Sequence, residues 1–192
     1  MKAVFVLAWL IAFAASGCGG GGEAGDAGGE TASGAASGVP FDRAFIDAMV
    51  PHHDSAILMA NEATEAGLTE PELIAIAGNI VITQQREIDQ MLAWRETWFG
   101  PGSPGSEEEA VEALGLSFEE AGMMHEGMPS GTGVDEGFAT MMIEHHEGAV
   151  RMAKIAQVQG DHQELKDLAT KIIQAQKREI AILEKYVDGT HH

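Results

Sequence analysis

The chain has 192 residues, enough for one domain with a real core, and a formal net charge of -19 from 30 acidic against 11 basic side chains. That balance argues against nucleic acid and anionic membrane surfaces as partners and predicts a solvated acidic exterior. The single cysteine, Cys18, excludes a disulfide framework, a Cys-x-x-Cys redox pair and a Cys-x-x-Cys-His haem attachment motif.

In chain order, Lys2 is followed by an apolar run from Ala3 to Ala15 and then by Ser16-Gly17-Cys18. The run is too short to span a bilayer. It reads as a bacterial lipoprotein signal over residues 1–18 whose cysteine is acylated, with an ordinary signal peptide or an uncleaved anchor as the alternatives. The expected location is the exported cell envelope, periplasmic or cell-surface, touching the membrane only through a lipid anchor. Residues 19–38 are Gly, Ala and Ser with scattered acids, a flexible tether with an r.m.s. reach of about 25 Å. The folded part is expected over 39–188, as a first helical hairpin (39–99), a Met-containing linker (100–133) and a second hairpin (134–188).

Within the first hairpin stands Met49, His52, His53, Ala56, Ile57, Met59 and Ala60; within the second, Met142, His145, His146, Ala149, Val150, Met152 and Ala153 at the same spacing. Successive helical residues turn by roughly 100°, so Met49, His52, His53, Ala56, Met59 and Ala60 share one stripe, and the second copy repeats it. Thioether sulfur is a soft ligand suited to Cu(I), and imidazole accepts copper in either oxidation state, so the mixture points to copper before zinc, iron or calcium. The plainer reading is core filling, since Met and Ala at helical spacing pack well. A core gains little, however, from four imidazoles that each need a hydrogen-bond partner.

The repeat extends beyond the motif. Phe45 to Gly67 aligns with Phe138 to Gly160, and Leu73, Ile76, Ala77, Ile80, Gln84, Arg86, Glu87 and Ile88 match Leu165, Leu168, Ala169, Ile172, Gln176, Arg178, Glu179 and Ile180. Each copy is read as a helical hairpin. Gly67 and Gly160 end the first helices, and Thr69-x-x-Glu72 and Asp161-x-x-Glu164 predict a capping box at the start of each second helix. Two hairpins related by a pseudo-twofold close a four-helix bundle around a shared interior. Gln84 and Gln176 fall inside apolar stripes; they either hydrogen-bond the histidine ring nitrogen that does not bind metal or mark the stripe's polar edge. Arg86-Glu87 and Arg178-Glu179 read as surface or bundle-edge ion pairs. Pro51, where the second copy has Glu144, should bend its helix just before the histidines.

The linker begins Gly100-Pro-Gly-Ser-Pro-Gly105, carries a short helix near Glu107 to Leu114, and reaches Met123-Met124-His125-Glu-Gly-Met128. Met123, Met124, His125 and Met128 form either a copper-uptake or auxiliary site or a plug over the bundle end. His162, at a helix start, and His191 and His192, in the tail, are expected to be exposed.

The two segments Met49 to Ala60 and Met142 to Ala153 carry a resemblance to a bacterial family, the domain of unknown function DUF305, extending over Val39 to Tyr186. The resemblance implies an all-α, ferritin-like four-helix bundle, usually exported, with some members binding periplasmic copper in copper resistance. It implicates His52, His53, Met49, Met59, His145, His146, Met142 and Met152 as ligands. The sparse linker methionines argue against high-capacity storage. Di-iron chemistry is not expected, because the residue three before each leading histidine is Met49 or Met142 rather than the Glu of a Glu-x-x-His motif. No nucleophile, catalytic dyad or phosphate loop is visible, which favours metal binding over catalysis. The expectation is a copper-binding protein of the envelope that sequesters or delivers the ion to a partner the sequence does not name. A copper oxidase converting Cu(I) to Cu(II), and a haem-binding or purely structural bundle, are the alternatives.

Overall fold

A computed structural model of the chain describes residues 38–124 and 133–187. Cys18, the signal segment, the tether up to residue 37, His125, Met128, His191 and His192 lie outside the described residues. Five α-helices follow in order: α1 (Phe41–Ala66), α2 (Pro71–Phe99), α3 (Glu107–Ala113), α4 (Val134–Gln159) and α5 (Gln163–Leu183), with a closing 3-10 turn at Glu184–Tyr186. Among the described residues all regular structure is helical, and no helix is long and apolar enough to cross a membrane. Helix α1 is continuous across Pro51.

Helices α1 and α2 pack as one hairpin and α4 and α5 as the other, while α1 lies along α4, α2 touches α5, and the short α3 rests on α1. The core divides into two apolar clusters. One takes Ala44 to Met49 from the first half of α1, Met91 from the end of α2, Ala149 to Ala156 from the second half of α4, and Leu165 to Ile172 from the start of α5. The other takes Ala56 to Ala63, Leu73 to Ile80, Phe138 to Met142 and Leu183. The first half of α1 therefore meets the second half of α4, and the two helices run antiparallel. On all four long helices a buried polar residue separates the clusters: His52 and His53, Gln84, His145 and His146, and Gln176.

The helix starts are joined across the repeat. Asp42, in the first turn of α1 and 1% exposed, accepts hydrogen bonds from the backbone N–H groups of Asp161 and His162 at 2.9 and 2.8 Å, just before α5. Its counterpart Asp135, in the first turn of α4, accepts from the backbone N–H groups of Thr69 and Glu70 at 3.0 and 3.1 Å, just before α2. These carboxylates satisfy donors left open at a helix N-terminus. The expected capping boxes at Thr69 and Asp161 do not form: neither α2 nor α5 has a side-chain cap of its own, because the other hairpin supplies it. A capping box does form at α3, between Ser106 and Glu109.

Gly67 ends α1 in the left-handed conformation at φ 96, as a helix-terminating glycine should. Gly160 does not: its φ is -57, and it is glycine because a Cβ there would meet the Ala156 carbonyl oxygen at 2.7 Å and Asp42 Oδ1 at 3.3 Å. His162 also departs from expectation. Its Nδ1 bonds Asp42 Oδ2 at 2.6 Å, and its ring stacks on Trp98 with centroids 3.7 Å apart and planes within 3°. It belongs to the clasp that ties the ends of α2 and the start of α5 to α1, instead of pointing freely into solvent.

Candidate metal centre

Adjacent residues on a helix diverge by roughly 100°, so each His pair points at two different neighbours. On α1, His53 turns to α2 and His52 to α4; on α4, His145 turns to α1 and His146 to α5. The His52 and His145 rings meet with centroids 3.7 Å apart and planes inclined by 37°. His52 to His53 and His145 to His146 are each 6.3 Å, with inclinations of 58° and 56°, the pseudo-twofold expressed in numbers. All four residues are at most 3% exposed.

The outer ends of this row are closed by carboxylates. His53 Nε2 lies 2.8 Å from Glu87 Oε2, and His146 Nε2 lies 2.8 Å from Glu179 Oε2. A seam thus crosses the core in the order Glu87, His53, His52, His145, His146, Glu179. Arg86-Glu87 and Arg178-Glu179 read as surface or bundle-edge ion pairs; the glutamates do lie at the bundle edge, 20% and 19% exposed, but their partners are the buried histidines. The role of the glutamates was available in the sequence as an acid three residues after each buried Gln in both copies, a spacing that keeps the two on one face.

Gln84 and Gln176 are both 3% exposed, and their Oε1 atoms are buried without a hydrogen-bond partner, as are His53 Nδ1 and His146 Nδ1. Both glutamines and both glutamates line one cleft of about 180 Å³ between α2 and α5, rimmed by Lys171 and Arg178. Each buried polar atom left without a partner costs about 1–3 kcal/mol, whereas burying an Ile or Leu in its place would contribute about 1.5–3 kcal/mol. A core shaped for stability alone would not retain this layer.

The thioethers sit on both sides of the seam. Met49 and Met152 belong to the apolar cluster near α3, and Met59 and Met142 to the opposite one; Met49, Met142 and Met152 are fully buried and Met59 is 8% exposed. Met123 joins the first cluster, while Met124 is 61% exposed and points away from it. Met91, fully buried in the same cluster as Met49, escaped the sequence reading because it lies outside the repeated motif. Its position was nonetheless legible: four residues after Glu87 on α2, as Met49 is four before His53 on α1. Among the described residues no group of three or more His, Cys, Asp or Glu side chains is arranged to hold a metal ion. A shell here would have to combine imidazole with thioether, the donor set that suits Cu(I).

The fold and site together define an all-helical protein of two repeated hairpins around a buried row of imidazoles. The chain belongs to the DUF305 family, the domain of unknown function whose pattern it matches over residues 28–95 and again over 42–187. No functionally curated protein matches it. Among solved structures it is similar to CopM, 30% identical, with 79% of this chain and 98% of that one covered and a TM-score of 0.62; CopM has been solved in Cu(I)-bound and Ag-bound forms. A Cu(II)-bound form at 30% identity gives the same TM-score of 0.62, over 78% of this chain and 97% of that one. A DUF305 protein from Streptomyces coelicolor, 24% identical with a TM-score of 0.67 over 79% of this chain and 98% of its own, shares the fold.

Proposed function

We propose that this chain is an exported, lipid-anchored copper-binding protein of the bacterial cell envelope, a ferritin-like four-helix bundle that sequesters or delivers copper through its buried histidines and the methionines beside them. The observation that carries the reading is the meeting of His52 and His145, ring against ring, in an interior whose apolar walls on either side contain Met49, Met152, Met59 and Met142. Two imidazoles from different hairpins offer nitrogen lone pairs, and thioethers supply soft donors that hard cations do not favour. The metal-bound forms of CopM, a 30% identical protein, support copper as the cargo. Acylation of Cys18 would hold the domain at the membrane, and residues 19–38 would let it stand clear of the lipid surface.

In this account copper is held in a dry interior, and protons compete with it for the imidazoles but not for the thioethers. The acidic surface raises the local cation concentration without selecting the ion. The test is metal analysis and anaerobic Cu(I) competition titration of mature protein in which His191 and His192 are replaced by Ala. Copper held against a chelating competitor supports the reading, and its loss on buffer exchange overturns it. Oxygen uptake above the spontaneous rate on adding Cu(I) would mark an oxidase instead.

A further inference from the structure

We propose that Glu87 and Glu179 are positioning residues that hold His53 and His146 in the tautomer protonated at Nε2, making Nδ1 the copper-binding nitrogen of both rings. The proposal rests on the copper reading above and adds to it which atom binds and what sets that choice.

A neutral imidazole carries one N–H and one lone pair, and hydrogen bonding decides which nitrogen has which. In both hairpins Nε2 faces a carboxylate oxygen at 2.8 Å. A lone pair on Nε2 would oppose the carboxylate's own lone pairs, whereas an Nε2–H donates to it in a charge-assisted bond. Nδ1 of each ring is buried and meets no hydrogen-bond partner, so a proton there would have nothing to donate to. Both facts require the same tautomer: proton on Nε2, lone pair on Nδ1. Gln84 and Gln176, one turn before the glutamates on the same helices, add two buried Oε1 acceptors that also lack donors. With the rings so oriented, each buried Nδ1 presents a lone pair and no N–H, as a metal-binding nitrogen must. A carboxylate behind a ligating imidazole further raises the basicity of the nitrogen that binds. The arrangement occurs twice with the same distance, once in each hairpin.

The test uses full-length protein labelled with 15N-histidine. Long-range 1H–15N correlation of the metal-free protein should find His53 and His146 protonated at Nε2. Glu87→Leu should release His53 from that tautomer and leave His146 in it, Glu179→Leu should do the reverse, and Glu87→Gln, which keeps an acceptor oxygen, should preserve it. Silver(I), a soft monovalent ion with a spin-1/2 nucleus, is then added to the wild-type protein, and the 109Ag–15N coupling should appear at Nδ1 of both rings. An Nδ1–H tautomer in the metal-free protein, or silver coupling at Nε2, overturns the positioning role while leaving metal binding intact. No silver coupling at any histidine, with the expected tautomer in place, overturns Nδ1 coordination and the copper reading together. The wild-type measurements decide the matter even if a Leu variant fails to fold.

Discussion

The two hairpins share the same polar seam and many of the apolar residues beside it, and differ at a few positions packed toward the connecting segment. Both supply two histidines, a buried Gln, an inward Glu and a carboxylate that caps the other hairpin. The first hairpin has Asp47 and Arg95 where the second has Thr140 and Val187, Met91 where the second has Leu183, and Ser55 where the second has Gly148. Arg95 and Gly148 meet the connecting segment directly, and Met91 lies in the apolar cluster that takes Ala110 and Val111 from it. Arg95 reaches from α2 to buried Asp47 and donates to the carbonyls of Gly102 and Ser103, fixing the chain as it leaves α2. Gly148 lies where the same segment returns: a Cβ there would come within 2.2 Å of the Ala121 carbonyl oxygen. What the copies retain is the chemistry of the seam; what they change accommodates a linker that can pack on only one side of a twofold.

The largest break in this comparison should come from Arg95→Met. It leaves buried Asp47 with only the partly exposed Arg43, 3.4 Å away, as a cation; removing one partner of a buried pair costs about 3–5 kcal/mol, and the remaining cation should hold the loss to the lower end of that range. Chemical denaturation should show that loss, and Asp47→Leu combined with Arg95→Met should recover most of it, because the second hairpin manages with Thr140 and Val187. Next comes Gly148→Ala, which drives a methyl into the Ala121 backbone; overpacking of this kind costs about 1–3 kcal/mol, and the same measurement should find that loss.

Asp135→Asn should be milder, at about 1 kcal/mol for a weakened cap. It should also change the pH dependence. Burial pushes the Asp135 carboxyl up, but the Thr69 hydroxyl and the backbone N–H groups of Glu70 and Thr69 together bring it below its ordinary value of 3.8. A carboxyl lowered on folding stabilises the protein above that ordinary value, and the contribution is lost as pH falls through the folded one. Stability measured from pH 5 downward should therefore fall less steeply in Asp135→Asn than in wild type. An unchanged slope would remove Asp135 as a source of acid sensitivity.

The buried histidines and the doubled hairpin were legible because they follow local rules: helical period, spacing and internal repetition. The caps were not. Thr69 and Asp161 have the right local signature, but Asp135 and Asp42 occupy the same donors from some 65 and 119 residues away, and no local pattern reports a contact made across a pseudo-twofold. Glu87 and Glu179 were hidden by their neighbours, since an acid beside Arg on a helix usually faces water; only the burial of the histidine opposite draws it inward. His162 was misread for a similar reason. A histidine at a helix start is ordinarily exposed, and the flat face of Trp98 that covers it comes from a different hairpin.

The central claim is that the buried imidazoles hold copper. The most direct test replaces His52, His53, His145 and His146 together by Leu, in protein whose tail histidines are already Ala, and repeats the anaerobic Cu(I) competition titration alongside circular dichroism. Leu needs no hydrogen-bond partner in a core, so the helical fold should survive with stability changed by no more than a few kcal/mol, and high-affinity copper binding should disappear. A folded quadruple variant that binds copper with the wild-type stoichiometry and affinity would contradict the account.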